Sequence, residues 1–113
     1  MSIPKHRTYK RQTLTRLYSC NAHYNDRILI SYNTIVIYES NKFIYVDYAN
    51  QTITTKQHIR KFLKAIKYEN HTLYKFLYLY LHNWRDSGYT KLLCDKRYDY
   101  LIPITNTPDF DTL

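Results

Sequence analysis

The sequence predicts an α+β fold, in which two helices pack on a small antiparallel β-sheet. Short runs of β-branched and aromatic residues occupy positions 28–48, and two longer segments with apolar residues at helical spacing follow them. Further short runs of strand-forming residues come near the end of the chain. Because 113 residues suit one domain, we expect a single domain over residues 1–113.

The strand signal is clearest in residues 28–32, 34–38 and 43–48. The polar tetrad 39–42 contains Asn41, which tolerates a positive φ, so we predict a hairpin between the second and third runs. In residues 43–48 the side chains alternate between two faces, and both faces carry rings. We therefore expect one face to be core and the other to be partly exposed or covered.

The first helix is predicted to begin with Thr54 as N-cap, in a capping box with Gln57. Its apolar side chains recur at helical spacing and form one stripe: Ile59, Phe62, Leu63 and Ile66. Basic side chains follow the same spacing on another side, with one more between them: Lys56, Arg60, Lys61, Lys64 and Lys67. The segment therefore predicts an amphipathic helix with a strongly cationic outer surface.

The second helix is predicted after a turn or cap at residues 70–72. Tyr74 and Tyr78 are expected on its less buried side, and Gly88 suits the position just after its end. Its inward stripe consists of Leu73, Phe76, Leu77, Tyr80, Leu81 and Trp84. Tyr and Leu alternate over residues 73–81, so a strand is the alternative there, but the length of the run and the terminal glycine favour a helix.

The ends of the chain carry opposite charge. The first 19 residues hold five cations and no acid, and we expect a mobile basic arm over about residues 1–12, either solvated or bound to nucleic acid. Two short strands are predicted at residues 92–94 and 98–104, the second at an edge or an end because Pro103 cannot donate a ladder hydrogen bond. Residues 105–113 are expected to form a mildly acidic, mobile tail.

The composition excludes several classes of site. A P-loop, a dinucleotide-binding turn and a nucleophile elbow each need two or more glycines, and the chain has one. Cys20 and His23 have C-x-x-H spacing, with Cys94 as a third candidate ligand, but a structural zinc site needs four ligands in two close pairs. We therefore expect two free buried thiols, no metal and no cofactor. No segment is apolar for long enough to cross a membrane, so we expect no membrane partner.

Residues 31–36, which read Ser-Tyr-Asn-Thr-Ile-Val, resemble a segment of small proteins of tailed bacteriophages from low-GC Gram-positive hosts. In that family an S-Y-x-T-x-V strand is followed by a hairpin with an x-Y-V second arm and by a T-T-x-x-H helix start. The matching residues here are 43–46 and 54–59. The resemblance covers about residues 28–66 and implies a phage origin and a sheet-plus-helix core, but no biochemical activity.

The charge pattern predicts nucleic-acid binding. The net charge is +8, clustered cations neutralise phosphates, and exposed Tyr rings offer stacking surfaces for unpaired bases. We expect a non-enzymatic phage accessory protein in the host cytoplasm that binds RNA, DNA or a host nucleoprotein complex. One concrete version is an inhibitor of host defence similar to an anti-CRISPR protein. The candidate binding residues are Lys10, Arg11, Arg16, Lys56, Arg60, Lys61, Lys64 and Lys67.

Two other classes of function remain open. His58 beside the basic helix could serve a small metal-independent ribonuclease or toxin, although a hydrogen bond from His58 to the sheet or to a cap is the simpler explanation. A protein–protein adaptor could act through a Tyr-rich face with no nucleic acid involved. A Lys-rich helix face is also often only a solvated surface, so no catalytic residue is assigned.

Overall fold

The computed structural model describes residues 3–18, 20–47, 52–84, 91–95 and 100–111. Within these residues the α+β class is confirmed, since the chain forms two helices and one antiparallel sheet. The elements are β1 (His6–Tyr9), β2 (Gln12–Arg16), β3 (Ala22–Tyr24), β4 (Ile28–Ser31), β5 (Thr34–Glu39), β6 (Phe43–Asp47), α1 (Ile53–Ile66), α2 (His71–Trp84), β7 (Lys91–Asp95) and β8 (Tyr100–Ile104).

The strands form one antiparallel sheet in which each strand pairs with the next along the chain. The two helices are inserted between β6 and β7, which remain neighbours in the sheet, with Val46 opposite Leu92. The predicted hairpin between β5 and β6 is confirmed, since Glu39 pairs with Ile44. β8 lies at one edge of the sheet, as predicted from Pro103, which cannot donate a ladder hydrogen bond.

Both faces of the sheet are buried, but by different parts of the chain. α1 and α2 cover one face, where Ile44 and Val46 of β6 join the larger apolar cluster. Tyr45 points to the opposite face and joins a smaller cluster with Tyr38. The alternation predicted for this strand is therefore confirmed, except at Tyr48, which lies outside the described residues.

α1 begins earlier than predicted, and the capping box of Thr54 with Gln57 is wrong. The N-cap is Thr52, whose Oγ1 accepts a hydrogen bond from the Thr55 amide at 3.2 Å. Thr55 Oγ1 in turn lies 3.0 Å from Ser31 Oγ on β4. This contact places Thr55 inside the first turn facing the sheet, so the earlier threonine takes the cap. The predicted apolar stripe is confirmed, because all its members are buried: Ile59, Phe62, Leu63 and Ile66.

α2 is a helix and not the alternative strand. Asn70 caps it, since its Oδ1 accepts a hydrogen bond from the Leu73 amide at 3.2 Å. The Asn70 amide group also donates to Glu39 Oε1 on β5 at 2.9 Å, which ties the start of α2 to the sheet. As predicted, Tyr78 is exposed, whereas Tyr74 is half-buried. Of the predicted inward stripe, Leu73 and Leu77 are buried and Phe76 is half-buried. The predictions for Tyr80, Leu81, Trp84 and Gly88 lie outside the residues whose side chains are described.

The segment expected to be an N-terminal arm contains a β-hairpin. Residues 6–9 pair with residues 12–15. The pairing of the two strands continues by one further hydrogen bond, which the Arg16 amide donates to the Lys5 carbonyl at 2.7 Å. The connecting residues Lys10 and Arg11 have φ of 48° and 66°. Two positive φ values are typical of a type I′ hairpin turn, which normally carries Asn or Gly. The sequence lacks that signal, and so the hairpin was not predicted.

The segment expected to be a mobile tail packs on the face of the sheet opposite the helices. The Phe110 ring lies 5.1 Å from the Tyr38 ring and 5.2 Å from the Tyr45 ring. Lys10 Nζ donates to the Phe110 carbonyl and pairs with the Asp111 carboxylate at 2.9 Å. The end of the chain therefore covers tyrosine rings that the helices do not reach.

We expect Phe110→Ala to lower the free energy of unfolding by about 2 kcal/mol. Phe110 is half-buried, and the loss of a fully buried Phe side chain costs about 3–5 kcal/mol. Chemical denaturation measures the difference. Thr105→Ala, at an exposed position of the same segment, should change stability by less than about 0.5 kcal/mol. Equal stability of the two variants would show that the packing of residue 110 contributes nothing.

Candidate nucleic-acid interface

The outer side of α1 carries a row of cations, which we call the α1 cationic surface: Lys56, Arg60, Lys64 and Lys67. Arg60, Lys64 and Lys67 are exposed and Lys56 is half-buried. α1 contains no acidic residue, and among the described residues Arg60 and Lys64 make no ion pair. Like charges three or four positions apart on a helix destabilise it by about 0.2–0.5 kcal/mol per pair. An anionic partner would relieve this repulsion.

Lys61 lies apart from the α1 cationic surface. Its Nζ is 2.9 Å from Cys20 Sγ, in the connection between β2 and β3. Both side chains are half-buried. Lys61 therefore belongs to the packing of α1 against the sheet, where the same ammonium group also acts on His58.

Of the other predicted basic residues, Lys10 and Arg16 contact groups of the protein itself. Lys10 lies over the Tyr38 ring at 5.3 Å, on the sheet face opposite the helices. Arg16 donates from its guanidinium to the carbonyls of Ile3 and Tyr18, each at 3.3 Å. Arg11 is exposed in the β1–β2 turn. The structure thus does not join the N-terminal cations to the α1 cationic surface.

A row of aromatic rings continues from the end of α1 onto α2. Lys67 Nζ lies 5.5 Å from the ring centre of Tyr68 and 5.9 Å from that of Tyr74. The Tyr74 ring is 6.0 Å from the His71 ring and 6.1 Å from the Tyr78 ring, with interplanar angles of 30° and 34°. We call Tyr68, His71, Tyr74 and Tyr78 the aromatic row. The sequence predicts Tyr74 and Tyr78 on the outward side of α2, but the continuous row was not expected, although positions 71, 74 and 78 have helical spacing.

His58 is part of the contact between α1 and the sheet. Its Nδ1 lies 2.8 Å from Ser31 Oγ, and its side chain is 3% exposed. The hydrogen bond to the sheet that the sequence suggested is therefore confirmed. His23 is also buried, with Nε2 at 2.8 Å from the Pro4 carbonyl. Neither ring lies where a phosphate at the surface could reach it, which favours a structural explanation of both histidines.

His58 should make the stability of the protein depend on pH. Burial lowers the pKa of His58 below its ordinary value of 6.5, and the Lys61 ammonium lowers it further. Between the folded-state pKa and 6.5 the unfolded chain therefore binds a proton that the folded chain does not, so the free energy of unfolding falls as the pH falls from 6.5 towards the folded-state pKa. Denaturation between pH 7.5 and about 5 measures this loss.

The matched control for this pH dependence is His58→Asn, whose amide group can contact Ser31 and does not titrate. We expect the variant to be less stable at neutral pH but to lose less stability on acidification than the wild type. Identical pH profiles of the two proteins would contradict the assignment of the acid loss to His58.

The two cysteines form no disulfide with each other. Both are free; Cys94 is buried, as predicted, but Cys20 is only half-buried. In the described residues no group of three or more Cys, His, Asp or Glu side chains is arranged to hold a metal ion. Of the helices in the described residues, none is long and apolar enough to cross a membrane.

An open groove of about 520 Å³ lies beside β2 and β3, but its charge is wrong for phosphate. Asp26 and Glu69 line it together with Tyr24 and neighbouring polar residues. Two carboxylates repel a nucleic-acid backbone, because like charges in a shared site raise each other's free energy. The candidate interface is therefore the α1 cationic surface with its aromatic extension.

No protein-family model, curated protein sequence or solved structure matches this chain.

Proposed function

We propose that this chain is a non-enzymatic nucleic-acid-binding protein that contacts phosphates through the α1 cationic surface. The observation that carries the proposal is the pair Arg60 and Lys64, which are exposed, unpaired among the described residues and one turn apart on a helix without acids. Clustered cations without acidic partners are the usual means of neutralising a phosphate backbone.

The packing of α1 supports this proposal. Phe62 and Ile66 are fully buried on the opposite flank, and Ser31 contacts both Thr55 and His58 near the start of the helix. The helix is therefore anchored along its length, and its cations are presented from a backbone that does not have to be ordered on binding. Binding to a preorganised surface costs less conformational entropy than ordering a tail.

The test is a titration of labelled RNA and DNA oligonucleotides by fluorescence anisotropy at several salt concentrations. If the four residues of the α1 cationic surface contact phosphates, the logarithm of the affinity should fall with the logarithm of the salt concentration at a slope of about −3. Absence of binding at about 50 mM salt, or an affinity independent of salt, would contradict the proposal.

The finer proposal concerns the biological setting. The resemblance over residues 28–66 to small phage proteins supports a phage accessory protein acting in the host cytoplasm on a nucleoprotein complex, such as an RNA-guided defence effector. A pull-down from infected host cells, with and without nuclease treatment, tests this setting. Capture of a host nucleoprotein complex that is lost after nuclease treatment is the expected result, and capture that nuclease leaves unchanged would favour the adaptor function.

A further inference from the structure

We propose that the nucleic acid bound by this protein is single-stranded and that its unpaired bases stack on the aromatic row of Tyr68, His71, Tyr74 and Tyr78. This inference rests on the proposed function, since it assumes that phosphates contact the α1 cationic surface. It adds the class of nucleic acid and a second group of contacting residues, on α2 and in the turn before it.

Lys67 joins the two parts of the surface. It is the last cation of the α1 cationic surface, and its ammonium group also lies over the rings of Tyr68 and Tyr74. A backbone phosphate at Lys67 would therefore lie beside the first rings of the aromatic row. A nucleotide has the same arrangement, with an anionic phosphate next to a flat base, so phosphate and base can be bound by one cation and one ring.

The aromatic row lies mainly on the outer side of α2, although Tyr74 is half-buried and also packs against the core. Leu73 and Leu77 are fully buried on the inner side of α2, whereas His71 and Lys75 are exposed on its outer side. Lys75 follows His71 by one helical turn and so adds a further cation beside the rings. The outer side of α2 thus combines aromatic surface with positive charge, and its charge is complementary to a nucleic-acid backbone.

The exposure of the rings favours unpaired bases over a duplex. The side chain of Tyr68 is 89% exposed and that of Tyr78 is 53% exposed. Neighbouring rings along α2 are tilted by 30° and 34°, so they do not cover one another as parallel plates would. In a duplex the base faces are already stacked inside the helix and offer nothing to these rings, whereas unpaired bases stack readily on aromatic side chains.

The experiment compares single-stranded and duplex probes of the same sequence, about 12 nucleotides long, as both RNA and DNA. The wild-type protein is titrated beside Tyr68→Leu/Tyr78→Leu, which keeps apolar side chains but removes the flat rings. Tyr18→Leu, at a position 59% exposed and outside both helices, is the matched control. Thermal unfolding followed by circular dichroism checks that each variant folds, and Tyr68→Leu alone serves if the double variant does not.

We expect the wild type to prefer the single strand and the double variant to lose single-strand affinity by roughly fivefold to a hundredfold per ring, with duplex binding unchanged. Tyr18→Leu should bind as the wild type does. Equal binding of single strand and duplex by the wild type, or full single-strand affinity in the double variant, overturns this inference but leaves the proposed function standing. A wild-type protein that binds neither probe overturns both.

Discussion

Phe62→Ala should lower the free energy of unfolding by about 3–5 kcal/mol, the largest stability loss that we expect from one substitution. Phe62 is 0% exposed at the centre of the apolar stripe of α1, and its ring meets the Tyr24 ring edge-on at 6.1 Å and 85°. Removing the ring leaves a cavity between α1 and the sheet. Small domains have a total stability of only about 5–15 kcal/mol, so much of the variant would be unfolded at moderate temperature.

Thermal and chemical denaturation measure this loss, and Arg60→Ala on the same helix is the control. Arg60 is exposed, so its truncation should change the free energy of unfolding by less than about 0.5 kcal/mol. If Phe62→Ala were as stable as Arg60→Ala, the position of α1 on the sheet would be wrong. A large loss in both variants would show that Arg60 also has a structural role, and charge reversal at that position could not then be used to test binding.

Arg60→Glu/Lys64→Glu should weaken nucleic-acid binding on the order of a hundredfold. Each residue lost removes a charge-assisted contact worth about 1.5 kcal/mol, and each tenfold change in affinity corresponds to about 1.4 kcal/mol. The new carboxylates also repel phosphates. We further expect the salt slope to become shallower by about 2, because about one counterion release is lost with each phosphate contact.

The control for this variant is Lys5→Glu/Lys42→Glu, which changes the net charge equally at exposed positions outside α1. Its affinity should stay within a few-fold of the wild type if the contact is local to α1, since a screened, distant charge acts weakly. An equal loss in both double variants would indicate a nonspecific effect of net charge. Unchanged binding in Arg60→Glu/Lys64→Glu would remove α1 as the interface, and full biological activity in that variant would favour the adaptor function.

Local sequence patterns predicted the elements whose signals are contained within a few neighbouring residues. The runs around Ile30, Ile37 and Tyr45 are rich in β-branched and aromatic residues, and each is a strand. The spacing of Ile59 and Phe62 correctly indicated the buried side of α1. These predictions succeed because periodicity and burial are linked directly: a helix or strand must turn its apolar side chains to one side.

Competing local signals explain the error at the start of α1. Thr52, Thr54 and Thr55 can each accept a hydrogen bond from the helix N-terminus, so the sequence alone does not choose among them. The choice depends on Ser31, which is distant in sequence and contacts Thr55 across the helix–sheet interface. The cap at Thr52 is therefore a consequence of packing.

The sequence also could not show which cations share a surface. Lys61 has the same charge as Arg60, yet it lies against Cys20, and Lys10 lies against Tyr38 at the opposite face of the sheet. Only the fold separates cations that hold the protein together from cations that face an external partner. The physical reason is that a charge near the surface interacts with whatever backbone or ring the chain brings to it.

By itself, the sequence determined the α+β class, the identity of both helices, the central strands and the excess of positive charge, because composition and short-range periodicity encode these features. The tertiary structure alone decided that residues 6–16 form a hairpin without glycine, that Phe110 closes the second face of the sheet, and that Lys67 links the cations of α1 to the rings of α2. Each of these depends on contacts between residues or elements that no local pattern relates. Such contacts form only when the whole chain has folded and the burial of distant side chains offsets the conformational entropy lost by each segment.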